Sequence, residues 1–296
     1  MFSIGIAPKL PPALERLIER ARRPTGPARP EPAPVAASPA RASTLNAAGV
    51  TVRFGGLVAV DDVSVSASTG TITGVIGPNG AGKTTLFNAC SGLNTPAAGE
   101  IRLDGRDLSR LRPSVRARLG LGRTFQHVTL SESLSVEENV RIGAEAGIVG
   151  ASVLRHVFRR PAENRVVQAR TAEALKLCGI GALAERAVST LPTGQRRLVE
   201  LARCLAGSFS ILLLDEPSSG LDVSETEAFG ELLRRVVSER GIGILLIEHD
   251  LSLTMRVCDE LYVLDFGRLI HAGTPASARE SAEVQAAYLG DVAVQA

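Results

Sequence analysis

From about residue 46 the apolar and polar positions follow two alternating rhythms. Period-two alternation marks "GVTVRFGG" (49–56) and "VAVDDVSVSAS" (58–68) as half-buried strands, and the apolar run "TITGVIG" (71–77) reads as a strand buried on both faces. A helix is expected from about Lys83. "GEIRLDG" (99–105) reads as a strand closed by an Asp-Gly turn, residues 113–119 as a helix, and "GRTFQ" (122–126) as a short strand. Helical spacing dominates 136–188, interrupted at "GIVG" (147–150). "TGQ" (193–195) opens a further helix, with Leu198, Leu201, Ala202 and Leu205 at helical spacing. Strands and helices then alternate: "SILLLDE" (210–216), a helix from Ser224, "GIGILLIEH" (241–249), a helix after Asp250, and "ELYVLDFGRLIHAG" (260–273). That order predicts a mostly parallel sheet covered by helices.

Residues 1–45 break both rhythms. Pro24, Pro27, Pro30, Pro32, Pro34 and Pro39 exclude a helix from 24–43, which reads as a polyproline-like or disordered linker. Ahead of it, Leu14, Leu17, Ile18 and Ala21 fall on one helical face, expected as a short helix on a loose tail. The expected organisation is therefore a tail over 1–45, a globular part over 46–290 and a short end over 291–296.

The 296 residues are 45% hydrophobic but only 3% aromatic, so the core must be aliphatic. A net charge of +2 argues neither for nor against nucleic acid, but no basic stripe is present, so no nucleic-acid partner is expected. Cys90, Cys178, Cys204 and Cys258 lack metal-ligand spacing and read as free thiols. No apolar run is long enough to cross a bilayer, and the start lacks the pattern of a secretory leader.

The chemistry begins at "GPNGAGKTT". Gly77, Gly82, Lys83 and Thr84 fit the phosphate-loop spacing, with Pro78, Asn79, Gly80, Ala81 and Thr85 completing the stretch. Glycines let successive backbone N–H groups turn inward on phosphate oxygens, Lys83 neutralises the β- and γ-phosphates, and the Thr84 hydroxyl suits Mg2+. "ILLLDEP" supplies the second half: Asp215 at a strand's carboxyl end can hold the metal, and Glu216 beside it can polarise a water. The "TGQ" turn places free N–H groups at a helix N-terminus, which suits an anion.

The order "GPNGAGKTT", "RTFQ", "LPTGQ", "ILLLDEP", "SSGLD", "IEHD" resembles the ATP-binding cassette of ABC transporters over about residues 46–290. "RFGGLVAVDDVS", "GLGRTFQ", "IEHDLSLTM", "VLDFGRLIHAGTP" and "AAYLG" are similar to the ATPase subunits of branched-chain amino-acid importers. The resemblance implies an α/β fold: a P-loop NTPase (RecA-like) core with an antiparallel β subdomain and an α-helical signature subdomain over about 127–190. It implies ATP and Mg2+ as ligands, and that Phe54 stacks on adenine. Gln126 would reach the metal and the attacking water, and His249 would contact the γ-phosphate. Ser219 and Asp222 belong to a loop that crosses a dimer interface.

In that family "LPTGQ" faces the γ-phosphate held by a second cassette, which gives Thr193, Gly194 and Gln195 a role in the partner's site. Here Pro192 replaces the usual serine and Thr193 the usual first glycine. The implied partners are transmembrane permease subunits, a second ATPase subunit in a homo- or heterodimer and, indirectly, an extracytoplasmic solute-binding protein. The implied location is peripheral, on the cytoplasmic face of the membrane. The alternative is a soluble cassette ATPase not coupled to transport; the spacing from Lys83 to Leu191 leaves no room for the coiled-coil arm usual in such proteins. The basic residues Arg155, His156, Arg159, Arg160 and Arg165 are expected in a solvated loop over 143–165.

Overall fold

The computed structural model describes residues 42–124, 130–149 and 161–294. Two sheets organise the chain. The first is antiparallel, in the order β2-β1-β4-β5, from β1 (Thr44–Phe54), β2 (Leu57–Ser68), β4 (Ala98–Leu103) and β5 (Arg106–Asp107). The second has the order β10-β9-β3-β8-β7-β6, from β3 (Ile72–Ile76), β6 (Leu121–Arg123), β7 (Ile211–Asp215), β8 (Gly243–Ile247), β9 (Glu260–Asp265) and β10 (Arg268–Gly273). Its strands run parallel except β10, which pairs antiparallel with β9 at one edge.

The central strands are buried on both faces, and their side chains divide between two cores. Leu212, Leu214, Ile244 and Leu246 face one core, built largely with the helices. Ile211, Leu213, Leu245 and Ile247 face the other, which they share with the antiparallel sheet. Such strands read as continuous apolar runs because neither face meets water.

The helices are α1 (Lys83–Ser91), α2 (Pro113–Arg118), α3 (Val136–Val149), α4 (Pro161–Leu177), α5 (Thr193–Ala206), α6 (Val223–Arg240), α7 (Leu251–Val257), α8 (Pro275–Glu280) and α9 (Ala282–Val294). Helix α3 lies so close to α5 that a Cβ on Gly143 would stand 1.8 Å from the Arg203 carbonyl oxygen. Among the described residues, no helix is long and apolar enough to cross a membrane.

Four expectations shift. Strand β1 starts at Thr44, and Ser43 ahead of it is buried, its hydroxyl donating to Asp104 Oδ1 at 2.8 Å. The break expected at "GIVG" does not fall at Gly147, since α3 continues to Val149; residues 150–160, and with them Arg155, His156, Arg159 and Arg160, lie outside the described residues. Helical structure ends at Leu177 and not near 188: Gly179 takes φ 69 and two short 3-10 turns follow, Gly181–Leu183 and Val188–Thr190. Arg165 sits on α4 and not in a loop.

Candidate functional site

Strands β3, β8 and β7 are neighbours and parallel, with Val75 aligned to Ile247 and Ile247 to Asp215. Their carboxyl ends therefore open at one level. There the chain places the 77–85 loop after β3, Glu216 after β7 and His249 after β8. Crevices at the carboxyl ends of parallel strands are where such sheets take ligands.

The loop's glycines are needed one by one. Gly77 (φ 149) leaves no room for a Cβ, which would meet the Leu264 carbonyl oxygen at 2.0 Å; at Gly82 (φ 95) it would meet the Ala59 carbonyl oxygen at 2.5 Å. Gly82 caps α1 with no side chain, and the first turn of α1 holds no acidic residue. Its N–H groups and the positive end of the helix dipole are thus left for an anion. The Lys83 ammonium is buried and donates to the Gly77 and Pro78 carbonyls, each at 2.8 Å.

Asp215 is buried at the end of β7. Its Oδ2 pairs with Arg123 at 3.0 Å, while Oδ1 is buried with no hydrogen-bond partner among the described residues. An orphaned carboxylate oxygen at this point fits a hard cation, for which oxygen donors are the ligand type. Burial pushes the Asp215 carboxyl up, and the Arg123 guanidinium pulls it back. Glu216 follows with a left-handed backbone (φ 49), and its Oε1 lies 2.7 Å from His249 Nε2. Glu248 is buried as well: Oε1 accepts the Ser218 N–H at 2.8 Å and Oε2 the His249 N–H at 3.2 Å. It thereby ties the chain after β7 to the chain after β8. Burial pushes its carboxyl up against those hydrogen bonds.

These groups bound an open cleft of about 340 Å³, lined by residues 79–85, Glu216 and His249, with Leu57, Val58, Ala59, Phe266 and Gly267 along the rest. The phosphate loop, the catalytic carboxylate candidate and the histidine expected from the sequence thus come together. Phe54 is 51% exposed at the end of β1, so it is no core residue, though it is not among those lining residues.

Thr193, Gly194 and Gln195 form the first turn of α5 and are not among the residues that line the cleft; Pro192 caps it without a side-chain hydrogen bond. A Cβ on Gly194 would stand 2.4 Å from Glu225 Oε1. The Ser219 carbonyl accepts from Arg197 Nη2 at 3.3 Å, and Asp222 caps α6, accepting the Glu225 N–H at 2.8 Å. Gln126 and His127 lie outside the described residues. His271 shares a hydrogen bond with Ser277 at 3.1 Å. All four cysteines are buried and free, each thiol pushed up to about 12 by burial.

Arg123, Glu248 and Phe266 were not singled out in the sequence. The first two act through contacts distant in the chain, which no local pattern encodes. Phe266 carried a signal, an X-Gly pair between two apolar runs, the mark of a two-residue hairpin.

A model of the family described as "ABC transporter" matches residues 60–219. The high-affinity branched-chain amino acid transport ATP-binding protein BraF of Pseudomonas aeruginosa is 38% identical over 250 residues, covering 83% of this chain and 98% of that protein. The LivG protein of the same description from Salmonella typhimurium is 39% identical over 247 residues, covering 82% and 96%. Among solved structures, the ADP conformation of MJ1267, an ATP-binding cassette of an ABC transporter, matches with a TM-score of 0.74 at 29% identity, covering 84% of this chain and 99% of that one.

Proposed function

Because the chain belongs to the ABC transporter family and is an ATP-hydrolysing cassette of it, we propose that it is the motor subunit of an importer for branched-chain amino acids or closely related solutes. The names of BraF and LivG, matched over nearly their whole length, support the solute class and stand against an uncoupled soluble ATPase. On this reading the chain sits on the cytoplasmic face of the membrane beside separate permease subunits. It dimerises with a second cassette, and a solute-binding protein outside the membrane chooses the cargo.

The roles of the residues follow from the family pattern together with their chemistry. The 77–85 loop and Lys83 hold the β- and γ-phosphates. Thr84, Asp215 and Gln126 hold Mg2+, which when bound neutralises charge on the phosphates. Glu216 orients and polarises the attacking water, and His249 contacts the γ-phosphate. Phe54 stacks on adenine. Thr193, Gly194 and Gln195, with Ser219 and Asp222, serve the site built on the partner's phosphate loop.

The observation that carries the importer reading is the match to BraF and LivG over nearly their whole length, and the Glu216–His249 contact of 2.7 Å beside a buried Asp215 supports the hydrolytic roles. The experiment is reconstitution with permeases and binding protein, followed by ATP turnover and uptake of labelled leucine. Leucine-stimulated turnover, with both turnover and uptake abolished by Glu216→Gln, is expected. Turnover indifferent to permeases and to every branched-chain amino acid would refute the importer assignment.

A further inference from the structure

Four residues other than glycine hold a left-handed backbone among the described residues: Asp62, Asp104, Glu216 and Phe266. Aspartate tolerates this region, and Asp104 sits in the Asp-Gly turn expected for it. Glu216 and Phe266 are different, and both line the same cleft. Strain of this kind persists where the surrounding structure enforces it, and it collects at functional sites.

Phe266 (φ 41) and Gly267 (φ 80) form the two-residue turn between β9 and β10, with Asp265 aligned to Arg268. Asparagine or glycine would hold the first position with far less strain. The chain instead places there a phenylalanine that is 89% exposed. The turn is anchored: the Asp61 N–H donates to the Gly267 carbonyl at 2.8 Å, and the Gly267 N–H donates to the Ala81 carbonyl at 3.1 Å. Arg268 pairs with Asp61 at 2.8 Å. The aromatic ring is therefore mounted on a turn bonded directly to the phosphate loop.

The lining of the cleft divides by chemistry. The phosphate loop, Glu216 and His249 present N–H groups and charges, whereas Leu57, Val58, Ala59 and Phe266 are apolar. A nucleotide divides in the same way, into anionic phosphates and a flat base on its sugar. Leu57 is also the residue aligned with Phe54 across the β1–β2 turn, so the apolar wall continues toward the residue the family pattern assigns to adenine.

We propose that Phe266 is a binding contact for the base and ribose half of the bound nucleotide, held in place by the β9–β10 turn. Aromatic rings suit this task because every base presents a π face. The inference rests on the ATP-binding reading and assigns a residue within that site.

The test is calorimetric titration of the full-length chain with Mg-ADP and with magnesium tripolyphosphate, which carries no base. Phe266→Ala is expected to weaken Mg-ADP about tenfold, equivalent to about 1.4 kcal/mol, and to leave tripolyphosphate unchanged. Phe266→Asn, which relieves the turn, is expected to raise the melting temperature while losing the same affinity for Mg-ADP. Unchanged Mg-ADP affinity in the two variants would overturn the proposal, as would an equal loss for tripolyphosphate. Loss of nothing but ATP-dependent dimerisation would assign Phe266 to the partner cassette and overturn it too. A wild-type chain that binds neither ligand would instead overturn the nucleotide reading itself.

Discussion

Arg116 is the largest of the fully buried side chains, 1% exposed, and its donors go to backbone carbonyls. Nη1 donates to Ala89 at 2.7 Å and to Cys90 at 2.6 Å, Nε to Leu111 at 2.9 Å, and Nη2 to Ser109 at 3.2 Å. Two of those carbonyls close the C-terminal end of α1, the helix whose other end starts at the phosphate loop. A cation there serves the Cys90 carbonyl, adds a second donor to the Ala89 carbonyl that already accepts the Gly92 N–H, and complements the helix dipole. Arg116→Met keeps most of the volume and removes every donor.

Each hydrogen bond from a charged donor is worth about 1.5–3 kcal/mol. The buried guanidinium also carries a desolvation penalty of several kcal/mol that the substitution relieves. Four buried or half-buried carbonyls that lose a donor at about 1–3 kcal/mol each, less the desolvation relieved, leave a net loss of about 3–5 kcal/mol. At about 2–4 °C per kcal/mol for a domain of this size, the melting temperature should fall by about 6–20 °C. Urea unfolding followed by circular dichroism should show a lower midpoint at unchanged slope. Arg116→Lys should recover only part of the loss, because a point ammonium cannot reproduce the planar fork. A loss below about 1 kcal/mol for Arg116→Met would refute the capping account, since it would mean that water or relaxation serves those carbonyls equally well.

Lys83→Ala should weaken ATP binding at least tenfold, because the phosphates lose their nearest counter-charge; unchanged affinity in a nucleotide titration would remove Lys83 from the site. Pro192→Ser should raise turnover at the composite site built on the partner's phosphate loop, where the turn now offers no hydroxyl at that position; equal rates, with the partner's site isolated by Glu216→Gln in this chain, would end that idea. The Asp222 carboxyl is held below the usual carboxylate range by the Glu225 N–H and the Ser224 hydroxyl. A depressed folded-state value means its stabilisation is present above the ordinary range and lost as pH falls through the folded-state value. The melting-temperature gap between wild type and Asp222→Ala should therefore be open at pH 7 and close in acid; a gap constant down to pH 2 would contradict the capping role.

How far the sequence alone reaches is decided by how local each cause is. Strands β3, β7 and β8 stand out because burial on both faces writes an unbroken apolar run. The phosphate loop stands out because its glycines, lysine and threonines act within nine consecutive residues. The start of β1 does not, because Gly49 (φ 60) and the shifts in pairing near it break the alternation that would extend the strand back to Thr44. The continuation of α3 through Gly147 is likewise set from outside, since a helix packed as closely as α3 is on α5 outweighs a glycine's weak propensity. The same rule separates the parts of the site. Arg123 reaches Asp215 across 92 positions, and Glu248 reaches Ser218 across 30. Each lies inside a motif string, "RTFQ" or "IEHD", but the partner it reaches is set by the fold and not by the string.

Glu216 and Phe266 are a third kind. Local propensity argues against the backbone that each one adopts, and the conflict itself is informative. A chain that is locally consistent elsewhere sets a glutamate and a phenylalanine in left-handed backbone only where packing or ligand contact offsets the cost. For Glu216 the offset is its place beside His249 and Asp215. For Phe266 the anchored turn, bonded to Asp61 and Ala81, holds the backbone, while the side chain, 89% exposed, packs little among the described residues. On the proposal that Phe266 meets the bound nucleotide, what enters the cleft adds the contact that packing does not, and the two strained residues belong to one site.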